Sequence, residues 1–212
     1  MRNFPYRAVL LILLAPGAVP AGGFFSEGII TKPVPTLFSI CFDHSCTTVV
    51  SDSLTPEEWR DATQPLRPPA LGAAAERSAI ACAIARFEEI VGRHTGTYAD
   101  RGRNLRGLGR SGQLDCIDES TNTTTYLRLL ERNGLLQHHA VLERVTRFGL
   151  SAGMPHTTAV IQERATGARF AVDSWFFDNG EPPYIVDLAT WSSGADPGIP
   201  HNDCEPLRAN GP

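Results

Sequence analysis

Basic stripes and long apolar runs are missing from most of this sequence, and each absence excludes a class of function. The formal net charge of −4 gives no electrostatic support for contacts with the phosphates of nucleic acids. Downstream of residue 23, no apolar stretch reaches the roughly 20 residues that a transmembrane helix requires. The histidines have no partners at the spacings of zinc ligands. We therefore expect no nucleic-acid binding, no stable membrane insertion of the mature chain and no zinc centre.

The N-terminus has the order of a secretory signal peptide. Basic residues precede an apolar run at 8–15, and small residues follow at 18–23. This order predicts a cleaved signal peptide at 1–21 and an exported protein, either periplasmic or secreted. The alternative is a membrane anchor, which is disfavoured because Pro16 and Pro20 interrupt the run.

Export changes how the five cysteines are interpreted. In an oxidising compartment structural cysteines pair, so an odd count leaves one thiol over. Cys41 and Cys46 could close a short loop, and Cys82 with Cys204 could tie the C-terminal tail to a helix. Four cysteines allow three pairings, so the sequence leaves the connectivity open. The suggested pairing would leave Cys116 free.

Helical patterns come first along the chain and strand patterns afterwards, which favours an α+β fold over an alternating α/β fold. Thr55 and Glu58 form a capping-box pattern around Pro56, so a helix is expected to begin there. Apolar periodicity and stop signals predict further helices at 70–93 and 116–132. Alternating residues bounded by turn signals predict strands at 156–162, 169–176 and 184–188. The pattern at 139–148 fits either a strand or a helix, and the strand is favoured.

At 212 residues the chain is long enough for one ordinary core, and one domain is the default. We therefore predict a single domain at 22–212, with its core at about 70–190. Residues 22–54 contain short apolar stretches and prolines, and they are interpreted as a loop with a short strand.

Cys116 lies where a polar loop enters a predicted helix. Unpaired backbone N–H groups at a helix start favour an anion, so they would lower the pKa of the thiol and hold an oxyanion. Three nearby acids would raise the pKa of the thiol instead, because carboxylates disfavour a thiolate; they are Asp115, Asp118 and Glu119. Gln113, three residues before the thiol, is a candidate side-chain donor to the oxyanion.

His156 and Asp173 are the candidate base and orienting carboxylate. A four-residue turn at 164–167 would place Asp173 opposite Thr158 in an antiparallel pair. His156 would then lie two residues along on the same face, within reach of the carboxylate. Together with Cys116 these residues match the logic of a nucleophile, a base and an orienting group.

Three segments carry a resemblance to a known group of enzymes: LDCIDES around Cys116, MPHTTAVI around His156 and RFAVDSW around Asp173. In order and spacing they resemble bacterial transglutaminase-like cysteine peptidases of the papain-like superfamily, over residues 70–190. The resemblance implies a papain-like core, in which the helix carrying the cysteine packs on an antiparallel sheet carrying the histidine and the aspartate. It also implies that these three residues are the catalytic triad.

The resemblance further implies hydrolysis of peptide or amide bonds in a protein or peptide substrate through a thioester. Acyl transfer to an amine and a binding module without chemistry are the alternatives. The acidic-aromatic pair that often follows the cysteine in the family is absent here, which leaves the substrate open. Some exported relatives need calcium near the cysteine. Asp115, Asp118 and Glu119 could supply oxygen ligands, or they could simply cap the helix; no other cofactor is expected.

Overall fold

The computed structural model describes residues 19–20, 28–104, 110–148, 155–199 and 204. Its strands are β1 (Val19–Pro20), β2 (Phe38–Phe42), β3 (Thr48–Asp52), β4 (His139–Phe148), β5 (Pro155–Glu163), β6 (Arg169–Asp173) and β7 (Tyr184–Asp187). Its helices are α1 (Pro56–Thr63), α2 (Ala73–Thr95), α3 (Cys116–Arg132) and α4 (Leu188–Ser192), with short 3₁₀ turns at Gln64–Leu66 and Thr97–Ala99. The predicted α+β class is confirmed.

The larger sheet is antiparallel throughout and has the order β1-β4-β5-β6-β7. Helix α3 packs against β5 and β6 on this sheet and also contacts the separate β2–β3 hairpin. Buried apolar side chains from α2, α3, β2, β5 and β6 form one continuous core. The helix that begins at Cys116 is therefore held between the two sheets.

Local sequence signals set the helix starts. Thr55 accepts the N–H of Glu58, and the Glu58 carboxylate accepts the N–H of Thr55, which completes the predicted capping box of α1. The predicted helix 70–93 is observed as α2, and the bounds of α3 are those predicted.

The N-terminal third departs from the predicted loop, because residues 38–52 form the β2–β3 hairpin. All five residues of β2 are buried. A strand buried on both faces lacks the alternation by which strands are recognised in a sequence.

Strand β6 is shorter than predicted. It ends at Asp173, and the Trp175 carbonyl accepts the N–H of Arg103 at 2.7 Å instead of continuing the ladder with β5. The predicted final strand ends one residue early, at Asp187. Helix α4 begins directly after it, because the Asp187 carboxylate caps the helix by accepting the N–H groups of Ala189 and Thr190.

The predicted signal peptide lies outside the described residues, except for Val19 and Pro20. These two residues pair with Thr146 and Val145 at the edge of the larger sheet. Within the described parts of the chain, no helix is both long enough and apolar enough to cross a membrane.

Candidate active site

The hairpin formed by β5 and β6 brings His156 and Asp173 together. Ala159 pairs with Val172, and the register places Asp173 opposite Thr158, as the four-residue turn predicts. His156 Nε2 lies 2.7 Å from Asp173 Oδ2. Because an ionised carboxylate only accepts, Nε2 carries the proton, and Nδ1 is the nitrogen that can take a proton from elsewhere.

Trp191 adds a second donor to the same carboxylate oxygen. Its Nε1–H donates to Asp173 Oδ2 at 2.7 Å, and both side chains are almost fully buried. Trp191 lies in α4, which is held against β6 and β7. Two N–H donors on one buried oxygen fix the carboxylate in position, so it can in turn fix the imidazole ring.

Aromatic rings surround the imidazole of His156. Its ring centroid lies 4.7 Å from that of Trp175, 5.5 Å from Phe176 and 5.6 Å from Trp191. Only 12% of the His156 side chain is exposed. The rings exclude water from the His156–Asp173 hydrogen bond, which is stronger at the lower local dielectric.

The thiol of Cys116 lies beside the residues that flank His156. Its Sγ is 4.0 Å from the Pro155 carbonyl oxygen, and it interacts with the backbone N–H of Thr157. Helix α3 therefore places the sulfur at the start of β5, against the residues that precede and follow His156. The structure thus joins His156 to Asp173 directly, and it places the Cys116 sulfur against the backbone of the two residues next to His156.

The electrostatics of the thiol differ from the prediction. Burial, with smaller contributions from the Asp115 and Asp173 charges, raises the pKa of the Cys116 thiol to about 11, although the N–H groups of Thr157 and Cys116 oppose this rise. The predicted lowering of the pKa is therefore wrong. The N–H groups of Ile117 and Asp118, which would have stabilised an anion at the helix start, already donate to the Asp115 side chain.

Asp115 and Asp118 form a capping box around the first turn of α3, and all four of their carboxylate oxygens accept protein donors. Asp115 Oδ1 accepts two helix N–H groups, and Oδ2 accepts the N–H and hydroxyl of Ser45. Asp118 Oδ2 accepts the N–H groups of His44 and Asp115, and Oδ1 accepts that of Cys46. Donors at every oxygen do not fit a calcium site, where these oxygens would face the ion.

Glu119, the third calcium candidate, is buried near Glu88 and Asp100. Burial, reinforced by these neighbouring carboxylates, raises the pKa of Glu119 well above its usual range. Because burial and the neighbouring carboxylates disfavour the charged form of Glu119, this group is a poor ligand for a cation. The three acids therefore do not fit a calcium site.

The side chain of Gln113 is bound to the preceding loop. Its Nε2 donates to the Ala99 carbonyl at 3.2 Å, and its Oε1 accepts from Asn104 Nδ2 at 2.5 Å. None of the hydrogen bonds of the described residues joins Gln113 to Cys116. The backbone N–H groups of Cys116 and Thr157, which reach the sulfur, are better placed donors for an oxyanion than the amide of Gln113.

Sequence reasoning missed Arg147 as a neighbour of the site. Arg147 pairs directly with His156 across β4 and β5. Its guanidinium lies 4.5 Å from the ring centroid of Trp191 and donates to the Trp191 carbonyl. Burial lowers the pKa of Arg147, while the Asp173 charge opposes that change. Only the register of the β4–β5 hairpin sets the two residues opposite each other, and the sequence bounds of the two strands do not specify that register.

Both suggested cysteine pairs are present as disulfides in the structure, Cys41–Cys46 and Cys82–Cys204. Cys116 is the free cysteine among the five. Two disulfides are compatible with an exported protein.

No protein-family model, no curated protein and no solved structure matches this chain.

Proposed function

We propose that this chain is a thiol-dependent hydrolase of peptide or amide bonds, with Cys116 as nucleophile, His156 as base and Asp173 as the orienting carboxylate. The observation that carries the proposal is the 2.7 Å contact between His156 Nε2 and Asp173 Oδ2 beside the free cysteine. A nucleophile, a base and an oriented partner in this order are what covalent catalysis by a thiol needs.

The first half-reaction forms a thioester. His156 Nδ1 takes the Sγ proton as the sulfur of Cys116 attacks the carbonyl carbon, and the carbonyl π electrons move to oxygen. Backbone N–H groups of Cys116 and Thr157 stabilise the oxyanion. The intermediate collapses, the C–N bond breaks, and the imidazolium returns its proton to the leaving amine.

The second half-reaction releases the acid. Water loses a proton to His156 Nδ1 and attacks the thioester carbonyl, and the thiolate of Cys116 leaves and regains the proton. Because the pKa of the thiol is raised to about 11, little thiolate exists at pH 7. The proton is thus removed during the attack, so His156 acts as a general base and not as the cation of a resting ion pair.

We also propose a papain-like, transglutaminase-like core, export from the cytoplasm and a protein or peptide substrate. A helix carrying the cysteine, packed on an antiparallel sheet carrying the histidine and the aspartate, is the arrangement implied by a papain-like, transglutaminase-like core. Two disulfides and the signal-peptide pattern support an exported, periplasmic or secreted enzyme acting on protein or peptide substrates.

Alkylation of Cys116 by iodoacetamide tests the coupling of thiol and base. We expect the wild-type rate at pH 7 to exceed that of His156→Ala by about tenfold, the lower end of general-base contributions. Above pH values of about 11 the two rates should converge, because the thiol then ionises without help. His138→Ala, at the opposite end of the β4–β5 pair, is the matched control.

Equal rates for wild type and His156→Ala at pH 7 would overturn the proposed coupling. Release of acid-soluble fragments from labelled casein, with and without an added primary amine, separates hydrolysis from transamidation. Incorporation of the amine without fragments would indicate the acyl transferase, and neither product would indicate a binding module.

Trp191→Phe should lower kcat while keeping the aromatic packing around His156. The change removes one N–H donor from the buried Asp173 carboxylate, and a hydrogen bond to a charged group contributes about 1.5–3 kcal/mol. We expect kcat to fall by about tenfold, the lower end of that range, with little change in KM. Trp59→Phe, which alters a tryptophan packed on Phe87, is the control and should leave kcat unchanged. Equal kcat values for Trp191→Phe and wild type would contradict the assigned role.

A further inference from the structure

The segment Cys41–Cys46, here called the disulfide turn, has an unusual backbone. Four successive residues without a glycine have positive φ angles: Asp43 at 65°, His44 at 67°, Ser45 at 57° and Cys46 at 53°. Such residues cost about 1 kcal/mol or more each in this region. The turn therefore persists only because its surroundings hold it.

The N–H groups of the disulfide turn converge on the two acids that flank the nucleophile. His44 and Cys46 donate to the two oxygens of Asp118, at 2.8 and 2.6 Å. Ser45 donates its N–H and its hydroxyl to Asp115, at 3.0 and 3.1 Å. Successive N–H groups in a turn make a concavity that binds anions, and here the anions belong to the protein itself.

These contacts act on the carboxylates whose negative charge disfavours a thiolate at Cys116. Asp115 precedes the thiol and Asp118 follows it on the first turn of α3, and the Asp115 charge raises the pKa of Cys116. Donated N–H groups place positive partial charge beside both carboxylates. At Asp115 this reduces the effect of the carboxylate charge on a developing thiolate.

The two ends of the disulfide turn are anchored differently. Asn122 in α3 accepts the N–H of Cys41 at 2.9 Å and donates to its carbonyl at 2.8 Å. Cys41 is fully buried, whereas Cys46 is partly exposed. The Cys46 end is held by the disulfide, by its contacts with Asp118 and Thr121, and by the β2–β3 ladder that begins at Thr48. Cutting the disulfide would therefore loosen the turn between the two strands, while the strands stay paired.

We propose that the Cys41–Cys46 disulfide is a redox-sensitive positioning device for Cys116, holding three N–H donors on Asp115 and Asp118 so that the thiol is reactive only while the disulfide is intact. The proposal rests on the proposed function, because it concerns the reactivity of the same nucleophile.

The switching step is an ordinary thiol–disulfide exchange with a dithiol reductant. A reductant thiolate attacks the partly exposed Cys46 sulfur, and the Cys41 thiolate leaves and takes up a proton. The second reductant thiol then displaces Cys46 as a thiol, which leaves the reductant oxidised by two electrons. The loop closed by the bond is short, with a sequence separation of 5, so its loss has a small effect on global stability.

The test compares two double variants that each remove one disulfide. We expect Cys41→Ala/Cys46→Ala to lower the iodoacetamide rate of Cys116 at pH 7 by about tenfold, a rise of one unit in the pKa of the thiol. Cys82→Ala/Cys204→Ala should keep the wild-type rate, although it opens a loop with a sequence separation of 122 and lowers the melting temperature more. The pH profile of alkylation should shift upward only in the first variant.

A pair of single substitutions keeps the disulfide and tests the N–H donors directly. Ser45→Pro removes both the N–H and the hydroxyl donor and cannot adopt the positive φ, so we expect the same loss of reactivity. Ser45→Gly keeps the N–H donor and the positive φ and loses only the hydroxyl, so its rate should stay closer to that of wild type. Unchanged or faster alkylation in Cys41→Ala/Cys46→Ala and Ser45→Pro would overturn the inference. Failure of the proposed function has a different signature, namely equal rates in wild type and His156→Ala.

Discussion

Asp173→Asn is expected to lower kcat by about 10²–10⁴-fold with little change in KM. The Asp173 carboxylate accepts from both His156 Nε2 and Trp191 Nε1. Both donors reach the same oxygen, Oδ2, so an asparagine oxygen in that place can still accept from both. The amide carries no charge, however, so the imidazolium that forms at His156 during catalysis loses the carboxylate that stabilises it.

The substitution preserves shape, so its effect should appear in the chemistry and not in the fold. Melting temperatures and kcat and KM for casein hydrolysis would be measured for Asp173→Asn and for Asp61→Asn, which alters an exposed aspartate of α1. The control should behave as wild type. Retention of more than a tenth of the wild-type kcat in Asp173→Asn would contradict the assigned role of the carboxylate.

Glu88→Gln is expected to stabilise the protein at pH 8 by about 2 kcal/mol while changing little at pH 5. Glu88 lies in α2 with 6% exposure, and its Oε1 is buried without a hydrogen-bond partner in the described parts of the structure. Burial raises the pKa of Glu88 to about 8, and the same cause raises the pKa of nearby Asp100 to about 6. A neutral amide avoids the cost of a buried charge.

The sign follows from proton uptake on folding. An unfolded glutamate releases its proton near pH 4.3, whereas folded Glu88 keeps it to about pH 8. The native state therefore binds more protons between these values, and the free energy of unfolding falls as the pH rises through this window. Each such proton contributes a slope of at most about 1.4 kcal/mol per pH unit.

Thermal unfolding between pH 5 and pH 8.5 would check this expectation. At pH 8 the melting temperature of Glu88→Gln should lie about 4–8 °C above that of wild type. Glu57→Gln removes a carboxylate that pairs with Arg60 at the surface and is the control, with no expected shift. Parallel pH profiles for Glu88→Gln and wild type would show that Glu88 does not hold the extra proton.

Several features of the site could be predicted because their causes are local. Asp115 and the residues after it contain the capping pattern that starts α3 at Cys116. The four-residue turn between β5 and β6 sets the register, and the register places His156 and Asp173 on one face.

Other features depend on what surrounds a residue. The helix start alone predicts a lowered pKa for the Cys116 thiol, but burial and the occupied N–H groups raise it instead. The donor from Trp191 to Asp173 needs α4 to return against β6, and no spacing along the chain encodes that contact. Only a short strand was predicted at 22–54, and the β2–β3 hairpin was not, because burial of β2 on both faces removes its alternation.

By itself, the sequence of this protein determined which residues could serve as nucleophile, base and orienting carboxylate, and where the elements carrying them begin. Capping and turn registers act over a few residues, so they can be read from the chain directly. The tertiary structure decided how reactive Cys116 is, because burial and the charges of Asp115 and Asp173 depend on packing between distant segments. It also decided that the disulfide turn would meet Asp115 and Asp118, a contact between residues about 70 positions apart.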